Sequence, residues 1–388
     1  MKKIIPYARQ DISEKDIDSV VEVLNSDFLT QGAKVPEFED IISTHLGVNY
    51  AFASNSATSS LHLSCLAAGI SKGDLVWTSP ITYVASANCA LYCGAEVDFV
   101  DIDSSTWNIS VEILEDKLKK AEKLGRIPKA LILVHLAGNP CNLKEIYELS
   151  RRYGFLIIED ASHALGSKYF DEPIGSCKFS DLTVFSFHAV KNITTGEGGM
   201  ILTNNKSFSK KIDLYRSHGV TRDKELLEEK DGGDWYYEQL LLGFNYRMTD
   251  IQASLGISQF NSLDSFIDKR NQISKTYFKG FQDVPISLQE VSKNDLSAWH
   301  IFIIKLNLKE IKLNRLEVFN LLKQKGIGVN VHYIPVHLQP FYRNLGFKKG
   351  DFPNSEKYYE SAITLPMFTR LKQEEIEFVI KSVKESVY

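Results

Sequence analysis

Cysteine is scarce and unpatterned. Cys65, Cys89, Cys93, Cys141 and Cys177 are odd in number and form no C-x2-C pair, so they read as reduced core thiols, neither a disulfide framework nor a metal centre. A dominant charge sign is also missing. The 388 residues carry 45 basic against 49 acidic side chains, net -4, with no basic block at either end. That argues against nucleic acid or an anionic membrane as the main partner. Uninterrupted apolar runs are absent too. Residues 48–71 and 75–95 hold no formal charge, but the first contains Asn49, Asn55 and His62, and the second is broken by Pro80 and Asn88. Both read as buried strand-plus-helix units rather than membrane spans. The start, MKKIIPYARQD, lacks an apolar stretch of signal-peptide length, so a cytoplasmic protein is expected. Common nucleotide and hydrolase signatures are missing: no G-x-x-x-x-G-K-[ST], no G-x-G-x-x-G after the first strand, no H-E-x-x-H and no G-x-S-x-G.

What is present is 44% apolar and 24% charged, enough to bury a large core. Up to about residue 250 short apolar runs alternate with amphipathic segments. Helices are expected at 34–46, 59–68, around 83–92 and at 143–153. Strands are expected at 50–53, 75–78, 97–100, 130–135, 155–159, 182–187 and 200–203. This alternation predicts an α/β fold of parallel strands covered on both faces, with ligands beyond the carboxyl ends of the strands. From 251 to 388 the pattern becomes α+β: helices at 251–266, 268–281, 315–324 and 373–386, strands at 300–306 and 329–334. A large domain, 1–250, followed by a smaller one, 251–388, is expected. No linker or repeat marks the boundary.

Three segments at strand ends carry chemistry. NSAT at 55–58 follows a strand and opens a helix, so small side chains, free N–H groups and the helix dipole make an anion cup. Plain N-capping by Ser56 or Thr58 is the alternative. FLIIED at 155–160 is an apolar strand ending in carboxylates, which sets Asp160 at the ligand edge. A buried carboxylate there needs a cation or several donors, and a protonated pyridine-type nitrogen would serve. FSFHAVK at 185–191 places Lys191 just past another strand end, where desolvation favours the nucleophilic amine. TTGEGG at 194–199 is by itself a turn more often than a phosphate cradle. An anion cup, a carboxylate and then a lysine about thirty residues later match the phosphate, ring nitrogen and aldehyde of pyridoxal phosphate.

The segments at 5–32, 55–64, 78–88, 157–167, 184–199, 214–220 and 244–256 (among them TSPITYVASAN, IIEDASHALGS and FNYRMTDIQASLG) resemble the DegT/DnrJ/EryC1/StrS sugar aminotransferases. The likeness runs from Ile5 to at least Ile334. FLTQG, SFHAVKNITTGEGG and VHYIPVH are most similar to the pseudaminic acid branch of that family. The resemblance implies the aspartate aminotransferase fold, fold type I, with an N-terminal arm contributing to the sugar-nucleotide site. It also implies a homodimer using pyridoxal 5′-phosphate, which becomes pyridoxamine phosphate during turnover. L-glutamate would give nitrogen to a UDP-linked 4-keto-6-deoxy sugar. Carried over residue by residue, Lys191 would be the Schiff-base lysine and Asp160 the partner of the ring nitrogen. Ala57, Thr58 and Ser186 would hold the phosphate, helped by Asn245 of the other subunit. Tyr83 would stack on the ring, and His163 would sit beside it. Tyr7, Asp27, Phe28, Leu29, Thr30, Ser56, Ser186, His332, Tyr333, Ile334 and Pro335 would line the substrate site. Arg247 would meet a phosphate or the donor carboxylate.

Core packing is the competing account of Tyr7 and Tyr83, and a solvated loop that of His332 and His337. Perosamine-type GDP-sugar and UDP-4-amino-D-sugar aminotransferases share the cofactor residues, so the nucleotide and sugar stay open. Relatives that remove a 3-hydroxyl have His in place of the lysine, and Lys191 speaks against that dehydratase reading. A lyase of the desulfurase type needs a reactive cysteine on a loop, with Cys141 and Cys177 the candidates. A non-catalytic regulator would lack the lysine or add a DNA-binding segment.

Overall fold

A computed structural model describes residues 4–229 and 233–388. Its centre is a seven-stranded sheet with spatial order Tyr50–Ser54, Gly199–Thr203, Leu182–Ser186, Leu156–Asp160, Ala130–Val134, Leu75–Thr78, Glu96–Phe99. Every residue of Ala130–Val134, Leu182–Ser186 and Gly199–Thr203 is buried, which is why these strands carry apolar side chains on both faces rather than alternating ones. The sheet is mainly parallel, but Gly199–Thr203 runs antiparallel to both of its neighbours. The sheet is thus mainly parallel, as expected, with this one strand reversed. Residues 187–198 form a turning loop, with no crossover helix to return the chain to the parallel direction.

The covering helices follow their apolar spacing. Lys34–Leu46 buries Phe38, Ile42 and Leu46 at intervals of four, and it ends where Gly47 takes φ 65°. Leu143–Tyr153 buries Leu143, Ile146 and Leu149 and ends at Gly154, φ 76°. Helices Glu14–Leu24, Val111–Lys123 and Lys206–Arg216 stand where no element was expected. Their charged outer faces hide few buried positions, such as Leu114, Leu118 and Ala121 in the second.

The C-terminal part holds a three-stranded antiparallel sheet, Ile286–Leu288, Phe302–Leu306 and Ala362–Leu365. Two expectations fail here. The helix pair breaks at Asn261 and Ser262, giving Asp250–Phe260 and Leu263–Gly280, because Asn and Ser favour helix ends over interiors. Residues 329–334 form no strand. A single bridge, Asn330 to Thr364, is followed by chain that turns into a cavity. The Asn330 side chain accepts the Val331 N–H at 2.8 Å, an alternative to ladder pairing. Helix Leu263–Gly280 joins the two cores: Leu263, Phe266 and Ile267 pack into the large one, Ile273 and Tyr277 into the smaller. Ile5 also packs into the smaller core, so the first described residues cross onto it. Among the described residues no helix is long and apolar enough to cross a membrane.

Candidate active site

The carboxyl ends of the parallel strands open into a cavity of about 540 Å3. Asp160, last residue of its strand, is 6% exposed and faces it. Its Oδ1 accepts the Ser162 hydroxyl at 2.5 Å and the Ser162 N–H at 3.2 Å, and its Oδ2 accepts the Ser86 hydroxyl at 2.6 Å. Lys191 lines the same cavity, held in a turn by its N–H bond to the His188 carbonyl at 2.9 Å. Burial pulls the Lys191 amine down from 10.5 to about 8, against the opposing pull of the Asp160 charge. It is thus far closer to the nucleophilic free base at neutral pH than an ordinary lysine.

The anion cup is a helix start. Ser56 caps Ala57–Ala67 by accepting the Ser59 N–H at 3.1 Å, so capping and cavity lining are both true of it. Ala57 and Thr58 are first-turn residues, whose N–H groups have no partner within the helix. Gly199 pairs with Ser54 on one side and Ser186 on the other. A Cβ there would stand 2.6 Å from the Ser56 carbonyl and 2.7 Å from Ala57 N, so glycine is what lets strand and helix start meet. Ser186 completes the rim.

Opposite lies an aromatic wall. Ala137, in the left-handed conformation at φ 63°, donates its N–H to His163 Nδ1 at 3.2 Å. The His163 proton therefore sits on Nε2 and points to the Tyr333 hydroxyl, 3.1 Å away. Burial, with the Lys191 charge adding to it, holds His163 well below its ordinary value, so the ring is neutral. His300 packs on it with centroids 4.4 Å apart and is lowered by burial in the same way. His332 bonds to Thr364 Oγ1 at 2.8 Å, and burial lowers it to about 4. His332 and His337 are both buried, which rules out the solvated-loop account; His337 pairs with Glu356 at 3.0 Å. Tyr83 is 62% exposed at the cavity edge and Tyr7 lies beside His332, so neither is a plain core residue.

The cavity thus gathers Tyr7, Ser56, Ala57, Thr58, Tyr83, Asp160, His163, Ser186, Lys191, His332 and Tyr333. Others stay outside its lining. Asp27, Phe28, Leu29 and Thr30 are exposed, with the Leu29 carbonyl bonded to Asp250 N–H. Asn245 is exposed, and Arg247 donates to Ser217 Oγ at 3.0 Å. Ile334 points outward, 44% exposed, and Pro335 is buried away from the cavity. Sequence reasoning missed Thr82, Ser162, His188, Glu197, His300 and Asn330 in the lining. Thr82 and Ser162 stand close to quoted motif residues and could have been found there. His300 and Asn330 come from the C-terminal part, and nothing local in the sequence marks them.

The donor set suits pyridoxal phosphate: uncharged N–H and hydroxyl donors in a cup that a Cβ at position 199 would fill, a buried carboxylate, and an amine near its free base. Residues 10–384 match the DegT/DnrJ/EryC1/StrS aminotransferase family. The chain belongs to that family. A Campylobacter jejuni UDP-4-amino-4,6-dideoxy-N-acetyl-beta-L-altrosamine transaminase is 37% identical over 97% of this chain and 96% of its own. Helicobacter pylori PseC, described as an aminotransferase in the biosynthesis of pseudoaminic acid, superposes with TM-score 0.90 at 31% identity, covering 99% of both chains. A putative sugar aminotransferase of Streptococcus pneumoniae, Spr1654, solved in PMP and PLP forms, superposes at TM-score 0.89 and 31% identity over 99% of this chain. The protein is therefore a pyridoxal phosphate-dependent sugar aminotransferase of fold type I. In this aminotransferase Cys141 and Cys177 are buried, and burial pushes the Cys177 thiol up to about 12, the opposite of a reactive desulfurase cysteine.

Proposed function

We propose that this aminotransferase converts UDP-2-acetamido-2,6-dideoxy-β-L-arabino-hex-4-ulose to the 4-amino sugar, with L-glutamate as nitrogen donor, in the cytoplasm. The observation carrying the chemistry is that Lys191, lowered to about 8, shares one cavity with the buried Asp160 and a helix-start anion cup. The names of the Campylobacter and Helicobacter relatives support the choice of sugar.

Bound pyridoxal phosphate supplies an electron sink and carries the amino group from donor to acceptor. The chain's residues do the rest. Ala57, Thr58, Ser56 and Ser186 bind the phosphate through N–H and hydroxyl donors. Asp160 pairs with the ring nitrogen, and the neutral His163 and Tyr83 orient the ring. The Lys191 amine would carry the 1,3-proton shift, taking the proton from the donor's Cα and delivering it to the cofactor's aldehyde carbon, the role its lowered pKa favours. Tyr7, Asn330, His332 and Tyr333 form the wall where a keto sugar would lie.

The protein acts as a homodimer with shared sites. Asn245, Arg247 and the segment 27–30 lie outside their own cavity, yet Leu29 is bonded to Asp250, five residues after Asn245. Phe28 and Leu29 expose apolar side chains in that region, a surface suited to crossing a two-fold axis into the partner's site. There Asn245 would meet the phosphate and Arg247 the donor carboxylate.

Incubation with L-glutamate and UDP-, GDP- and dTDP-linked 4-keto sugars, read by mass spectrometry, tests the assignment. Amination of the UDP-β-L-arabino-hex-4-ulose in preference to the others is expected. Preference for a GDP or dTDP sugar would overturn the substrate but keep the chemistry. Lys191→Ala should abolish turnover on every acceptor, and appreciable residual transamination would overturn the role of the lysine.

A further inference from the structure

Asp160 offers about four acceptor positions, and this chain's own donors occupy three of them. Oδ1 takes the hydroxyl and the N–H of Ser162, and Oδ2 takes the Ser86 hydroxyl at 2.6 Å. One lone pair, on Oδ2, is left. Ser86 has a single proton, and an ionised carboxylate can only accept, so that proton goes to Asp160. The 2.6 Å contact between Ser86 and Thr82 must then run from Thr82 Oγ1–H to Ser86 Oγ. The competing acceptor of the Ser86 proton, the Tyr83 carbonyl, lies further away at 3.3 Å. The chain Thr82 to Ser86 to Asp160 is thus directional, and each bond polarises the next. All three residues are buried, Ser86 completely. The spacing of four residues puts Thr82 and Ser86 together where the helix Ala85–Tyr92 begins.

We propose that Ser86, backed by Thr82, is a positioning residue of the aminotransferase: it aims the remaining Oδ2 lone pair of Asp160 at the ring nitrogen of the cofactor and keeps the shared proton on that nitrogen. The inference rests on the pairing of Asp160 with the ring. A hydroxyl donating to a carboxylate stabilises its charged form, which leaves the proton on the other partner. Without the donor the proton shifts towards the carboxylate, and the carboxylate is free to turn. The ring is then a weaker electron sink although no group touching it has changed.

The test loads wild type, Ser86→Ala, Ser86→Thr, Thr82→Val and Asp160→Asn with pyridoxal phosphate carrying 15N in the ring. Affinities for pyridoxal phosphate and for its analogue with C–H in place of the ring nitrogen are measured in parallel. Ser86→Ala should move the 15N signal from the pyridinium towards the neutral pyridine position. It should weaken pyridoxal phosphate about tenfold, the usual scale for one hydrogen bond to a charged group, and leave the analogue within about twofold. Ser86→Thr, which keeps the hydroxyl, should restore both. Thr82→Val, acting only through Ser86, should give a smaller shift in the same direction, and it carries the test if Ser86→Ala fails to fold. Equal losses for both cofactors with an unmoved 15N signal would make Ser86 a packing residue and overturn the proposal. A signal that moves in Asp160→Asn but in neither the Ser86 nor the Thr82 variant overturns the proposal alone. No movement in Asp160→Asn overturns the pairing of Asp160 with the ring, and the proposal with it.

Discussion

Lys191 shows how burial alone makes a reagent of a side chain. Its amine falls to about 8 because desolvation outweighs the attraction of Asp160. Two consequences have opposite handles. In cofactor-free protein the unfolded lysine keeps its ordinary pKa near 10.5, so between pH 8 and 10.5 the unfolded chain binds more protons. This group's contribution to stability therefore rises with pH across that window. Covalent capture of pyridoxal phosphate by the apoprotein should likewise rise with pH and level off with a midpoint near 8. Asp160→Asn removes the charge that favours the ammonium form, so it should lower that midpoint. Stopped-flow absorbance against pH checks both, and a midpoint that rises in Asp160→Asn would contradict the electrostatic account. The same variant should lower turnover by well over tenfold, that is by more than roughly 1.4 kcal/mol of barrier; a milder loss would reduce Asp160 to a structural cap.

At the scale of elements, the anion cup depends on a strand and a helix start meeting more closely than side chains allow. Gly199 is the contact, and the atoms a Cβ would meet are backbone atoms of Ser56 and Ala57, which cannot swing aside. Gly199→Ala should push the helix start off the strand and cost about 1–3 kcal/mol, the usual range for overpacking. Phosphate binding should suffer more than the fold, because the N–H groups are displaced from their common focus. A melting curve together with the affinity for inorganic phosphate and pyridoxal phosphate separates the two effects. Unchanged cofactor affinity in a stable Gly199→Ala would show that the cup does not bind the phosphate. The break at Asn261 and Ser262 belongs to the same scale: apolar spacing ran through it, but two residues that favour caps ended one helix and began the next.

For the whole molecule, the question is whether one chain suffices. Asn245 and Arg247 stay outside the lining of their own cavity, so a shared site predicts complementation between two inactive variants. Lys191→Ala and Asn245→Asp are chosen because the second sets a like charge against the phosphate, poorly screened in a partly buried site. A mixed dimer would hold one site with both defects and one with neither. With random exchange about half the dimers are mixed, so about a quarter of wild-type activity should return. No recovery, with exchange confirmed by native mass spectrometry, would return Asn245 to its own chain or remove it from the site.

Local chemistry made much of the sheet legible. The apolar run at 130–134, the mostly apolar one at 182–186 and the glycine-terminated helices stood out by composition, and the segments carrying Thr58, Asp160 and Lys191 lie just after strands end. The antiparallel course of Gly199–Thr203 and the irregular path of residues 330–333 were not legible. The first follows from the helix-free loop 187–198 and the second from the Asn330 side chain competing for a backbone N–H, and neither shows in apolar spacing. The same holds for the hydroxyls on Asp160 and for His300 on His163: Ser86 and Asp160 are 74 residues apart in the chain, and their 2.6 Å contact is made by packing a helix over the end of a strand. Sequence determined which groups are available at the strand ends. Tertiary structure decided which of them are desolvated, which proton points where, and therefore which can react.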